Sequence, residues 1–89
     1  MKIFVLDPDP KKCTDLGREA ALATAGIPVT FIVEEYSDEE TIKKFNPPAL
    51  PAIVVDGKIK SSGKYLTKKE IHQLLKEEFE ARTRKWPGI

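Results

Sequence analysis

Ile3-Phe4-Val5-Leu6 is a short β-branched and aromatic run closed by Asp7-Pro8-Asp9-Pro10, and it predicts a buried strand leaving its sheet through a turn. Asp9 can accept from orphan backbone N–H groups and Pro10 suits a first helical position, so a helix is expected from here to Gly26. Cys13, Leu16, Ala20 and Ala23 recur on one face of it, while Lys12, Asp15, Arg18 and Glu19 fall mostly elsewhere. Val29 to Val33 reads as a second strand. Ser37-Asp38-Glu39-Glu40 then opens a short helix through Thr41, Ile42 and Phe45, stopped by Asn46-Pro47-Pro48. Ala52-Ile53-Val54-Val55, the tight turn Asp56-Gly57, and Lys58 to Ser62 predict an antiparallel hairpin ended by Gly63. Thr67-Lys68-Lys69-Glu70 is a second capping box, starting a helix with an apolar stripe of Ile71, Leu74, Leu75 and Phe79.

The element order is therefore βαβαββα. Strands separated by helices imply right-handed parallel crossovers, and the hairpin adds an antiparallel edge, so the fold class is α/β with a four-stranded mixed sheet and three flanking helices. One domain is expected over residues 1–81, with a basic, fraying tail over 82–89.

Composition narrows the function classes. Fifteen Lys and Arg against fourteen Asp and Glu give a net charge of +1, too weak a field to recruit nucleic acid or an anionic bilayer. The longest apolar runs fall far short of the ~20 residues that span a membrane, and Met1-Lys2-Ile3 enters the first strand without a signal-peptide core, so a cytoplasmic protein is expected. The single cysteine, Cys13, excludes an internal disulfide. Asp7, Asp9 and Asp15 crowd one turn, but Asp9 is explained as a helix cap and the loop lacks the six or more oxygen ligands calcium prefers, so no metal site and no cofactor is assigned. His72, the only histidine, supports no mechanism, and Arg82, Arg84 and Lys85 around Trp86 read as solvated tail.

The element order, Met1-Lys2-Ile3 to Leu6, the loop ending at Cys13, and Leu50-Pro51-Ala52-Ile53-Val54-Val55-Asp56-Gly57-Lys58 followed by Ser61-Ser62-Gly63 together resemble the small thioredoxin-like, redox-active disulfide proteins of bacteria and archaea. The likeness covers about residues 1–76 and implies a thioredoxin-like fold. It also implies that Pro51 is a cis-proline facing the active-site turn, leaving the backbone of Leu50 free to pair with an extended peptide. From the residues alone, an ordinary trans proline entering an edge strand is the alternative.

In that family the turn after the first strand carries Cys-x-x-Cys, with the attacking thiol at the helix N-terminus and the resolving thiol three residues on. The matching positions here are Pro10 and Cys13. Proline cannot attack a disulfide, so dithiol oxidoreductase turnover by the family mechanism is not expected. Cys13 has two readings. Beside Lys11 and Lys12 in the first turn of a helix, its pKa would fall and it would form mixed disulfides. On the apolar stripe with Leu16 and Ala20 it is a small hydrophobe, and that argument draws on more of the sequence.

Two leading functions follow, and a third, weaker one. One is a redox-inactive protein-binding module in which Pro10, Lys11, Lys12, Leu50 and Pro51 frame a groove for an extended protein or peptide partner, the chain being a monomer or weak dimer. The other is a single-thiol redox protein with Cys13 as its catalytic residue. A third is a folded subunit of a larger assembly, touching it through the last helix and the Trp86 tail.

Overall fold

The computed structural model describes the backbone of residues 1–84 and the side chains of residues 1–82. The elements in chain order are β1 (Lys2–Leu6), α1 (Pro10–Leu22), β2 (Ile32–Tyr36), α2 (Glu39–Phe45), β3 (Ala52–Val55), β4 (Lys58–Ser62) and α3 (Lys68–Arg84). The strands form one mixed sheet in the order β2-β1-β3-β4.

The apolar runs of β1 and β3 occupy its centre, where both faces are covered. Alternation along each strand splits the core in two. Ile3, Val5, Ile53 and Val55 pack under α1 and α3 with Leu16, Ala20, Ile71 and Leu75. Leu6, Ala52 and Val54 pack with Ile42 of α2 on the other face. Phe4 joins this second layer, its ring centroid 5.0 Å from that of Phe45 and 6.0 Å from that of Tyr36.

Caps set the helix boundaries. The Asp9 carboxylate accepts from the Lys11 and Lys12 N–H groups, Asp38 accepts from the Thr41 N–H, and the Thr67 N–H donates to Glu70. Asp38, rather than Ser37, is the cap of α2. Asp56 and Gly57 both take positive φ, 48° and 83°, the conformation that a two-residue hairpin needs.

Four expectations are corrected. The helix α1 ends at Leu22 and a turn carries the chain to Gly26, whose φ is 81°. The second strand is Ile32–Tyr36 rather than Val29 to Val33, because it pairs residue for residue with Lys2–Leu6 of β1, and Phe31 serves as core cover outside the strand. Only β1 and β2 are parallel, since β3 runs antiparallel to β1. Tyr36 and Ala52 both lie opposite Leu6, so the connection between β2 and β3 stays at one end of the sheet. The seven residues of α2 span only about 10 Å and do not return the chain to the other end for a parallel crossover.

The fourth correction concerns the tail. The helix α3 continues through Arg84, and the Arg82 guanidinium pairs with the Asp56 carboxylate. Lys85 and Trp86 lie outside the described residues, as does the side chain of Arg84.

Candidate functional site

The site lies where β1 ends, with β2 and β3 at its sides. The Asp7 N–H donates to the Tyr36 carbonyl at 3.2 Å, continuing the β1–β2 pairing by one residue. The Asp7 side chain is buried, 3% exposed. One of its oxygens accepts from the Asp9 N–H at 2.9 Å and the other from the Tyr65 hydroxyl at 2.5 Å. Pro8, Asp9 and Pro10 are exposed, and Pro10 is the first residue of α1. Lys11 and Lys12 follow, also exposed.

Cys13 turns inward. It is 2% exposed, within the core layer formed by Val5, Leu16 and Ala20. Its Sγ lies 3.5 Å from the Val5 carbonyl oxygen and 3.6 Å from that of Tyr36, so the thiol proton has an acceptor on either strand. Burial raises the thiol pKa first, and the carboxylates of Glu35 and Asp7 raise it further. The expectation that Lys11 and Lys12 would lower it is corrected. Both lysines are exposed, where water screens their field, whereas the charged groups that act on the sulfur, Glu35 and Asp7, are acidic.

The Leu50–Pro51 peptide is cis. Because Ala52 lies opposite Leu6, Pro51 stands next to Asp7 at the same end of the sheet. Pro51 is buried and its carbonyl accepts from the Gly63 N–H at 2.8 Å. Leu50 is 39% exposed, and among the described residues its backbone makes no hydrogen bond. Topology thus brings Pro10, Lys11, Lys12, Leu50 and Pro51 to one end of the molecule, with Cys13 beneath them.

Tyr65 is the residue that sequence reasoning missed. It lies between β4 and α3, 52% exposed, and its hydroxyl closes over Asp7 from 58 residues away. Donation to that carboxylate pushes its pKa up to about 12. The Lys12 Nζ sits 5.7 Å from its ring centroid. A cleft of about 330 Å³ opens beside it, lined by Lys12, Asp15, Leu16, Glu19, Tyr65 and Leu66. No local pattern around Tyr65 signals this role, since its partner is set by the fold.

His72 is remote from Cys13. Its Nδ1 lies 2.8 Å from the Ala23 carbonyl oxygen, at the opposite end of α1. Among the described residues no group of three His, Cys, Asp or Glu side chains is placed to hold a metal ion, and no helix is long and apolar enough to cross a membrane.

Comparison with known families matches residues 1–76 to a family described as a thioredoxin domain. No curated protein matches the chain.

Proposed function

Because the chain belongs to the thioredoxin-domain family, we propose that it is a protein-binding module that keeps the family's groove and has given up thiol chemistry. The observation that carries this reading is the state of Cys13. A nucleophilic cysteine is an exposed thiolate in positive surroundings. This thiol is 2% exposed, faces two carbonyls, and is held protonated by burial and by neighbouring carboxylates. Pro10, at the position of the family's first cysteine, supplies no sulfur. Ordinary dithiol turnover therefore has neither an attacking nor an accessible resolving group.

The groove residues support the binding half of the reading. Leu50 offers an apolar side chain and an unpaired stretch of backbone just before β3, the feature by which an extended segment is captured through strand-like pairing. Lys11 and Lys12 border it and would favour a segment with acidic residues. A protein or peptide partner in extended conformation follows, with no cofactor.

The test is a selection of displayed peptides against the protein, followed by ¹⁵N chemical-shift mapping of the best binder. Shifts at Leu50, Lys11 and Lys12, binding retained in Cys13→Ala and lost in Leu50→Asp, are the expected results. Peptides retained only through a disulfide to Cys13 would overturn the reading.

A further inference from the structure

Cys13 is buried close to an edge of the sheet. The strand order β2-β1-β3-β4 makes β2 an outer strand. The Cys13 Sγ lies over the seam between it and β1, 3.5 Å from the Val5 carbonyl oxygen and 3.6 Å from that of Tyr36. Its apolar neighbours Val5, Leu16 and Ala20 belong to β1 and α1, so the flank toward β2 needs another cover to leave the thiol only 2% exposed.

Glu35 stands at that flank. It lies opposite Val5 in the β1–β2 pairing, so its side chain leaves the sheet on the face that α1 covers. There it runs against Gly17, which is buried and follows Cys13 by one helical turn on the same side of α1. A Cβ on Gly17 would collide with Cγ, Cδ and Oε2 of Glu35. Among the described residues Glu35 takes part in no ion pair, so the space over Gly17, not a charged partner, sets its place. After burial itself, Glu35 is the strongest influence raising the thiol pKa, which puts its charge close to the sulfur.

We infer that the Glu35 side chain, seated on Gly17, is a shutter that closes the Cys13 thiol off from solvent along the open edge of the sheet. The inference rests on the reading of Cys13 as an inert thiol and names what keeps it so. The glycine leaves the seat, because any Cβ at that position would fill it. Glu35 is otherwise exposed and belongs to neither core layer, so the shutter can swing into water while α1 and β2 stay folded.

The test is the rate of Cys13 alkylation by iodoacetamide in the whole, folded protein, measured beside the urea midpoint. Glu35→Ala should raise the rate about tenfold or more with little change in midpoint, and the rate should lose most of its dependence on urea because labelling no longer waits on global opening. Glu35→Gln keeps the bulk of the side chain and should label within about threefold of the wild type. Gly17→Ala is the sharper variant. Alanine is the better helix former, and its methyl meets only the movable end of Glu35, so stability should hold or rise while labelling speeds up several-fold. Access and stability then part company, which they cannot do where stability alone protects the thiol. Wild-type labelling rates in Glu35→Ala and Gly17→Ala, or a Glu35→Gln rate equal to that of Glu35→Ala, would overturn the shutter alone. Rapid labelling of the wild type would overturn it together with the reading of Cys13 as inert.

Discussion

The Tyr65 hydroxyl donates to the buried Asp7 carboxylate and ties the loop before α3 to the loop before α1. Asp7 is 3% exposed and takes its donors from Tyr65 and the Asp9 backbone. A buried carboxylate stripped of a donor destabilises the fold by its unmet desolvation. Tyr65→Phe is therefore expected to lower the urea midpoint at neutral pH. The same bond raises the Tyr65 pKa to about 12. Its stabilisation is complete below the ordinary tyrosine value near 10 and fades as pH rises through about 12. Tyrosinate absorbance in the folded protein should accordingly lag behind that of the protein in urea.

Cys13 gives a second alkaline signature. Its thiol is raised from an ordinary value of 9.0, so the unfolded chain loses the proton first. Stability is full below that value and declines as pH climbs toward the folded value. In Cys13→Ala this part of the decline should vanish. Iodoacetamide should label the native thiol about a hundredfold or more slowly than the unfolded one, because reaction waits on opening of the core. Rapid native labelling at neutral pH would show an accessible thiolate instead.

Glu78 on α3 is 6% exposed, with the Lys60 Nζ at 2.7 Å and the Lys58 Nζ at 3.5 Å. The hydrogen bond from Lys60 holds its pKa below the ordinary carboxylate value, against the upward push of burial. The sign is opposite to that of Cys13. Its contribution is present above the unfolded value near 4.3 and is lost as pH falls through the lower, folded value. Glu78→Gln should lower the urea midpoint at neutral pH and flatten the acid limb of the stability profile.

The Arg82 guanidinium on α3 pairs with the Asp56 carboxylate in the β3–β4 turn. Arg82 is half-exposed, but the Asp56 oxygen it pairs with is buried and has no hydrogen-bond partner, so Arg82→Ala should cost about 1–3 kcal/mol by leaving that oxygen unmet. Asp56→Ala should cost about 1–3 kcal/mol, because the same side chain accepts the Lys2 N–H at 2.8 Å. Asp56→Asn should cost less than Asp56→Ala, since asparagine keeps an acceptor and tolerates the positive φ of 48°. A chain ended at residue 81 should melt below one ended at residue 84, as read by thermal circular dichroism.

Much of the fold was legible in local chemistry. Asp9-Pro10 and Thr67 to Glu70 marked helix starts because their side chains satisfy their own backbone neighbours. Asp56-Gly57 marked the hairpin because few residue pairs accept two positive φ angles. The stripe of Cys13, Leu16 and Ala20 pointed inward, and all three are buried. Where a boundary depended on a partner, local reading slipped. The start of β2 follows its pairing with β1, and the end of α3 follows a turn 26 residues earlier.

The sequence by itself determined the order of the elements and the family's outline, because caps, turns and periodicity act over three or four positions. Tertiary structure decided the rest. It turned β3 antiparallel to β1, set Glu35 and Asp7 rather than the two lysines against the Cys13 thiol, and placed Tyr65 over Asp7. Those outcomes depend on which groups packing brings within a few ångströms of each other, and on which of them it removes from water. Neither quantity is written in any stretch of neighbouring residues.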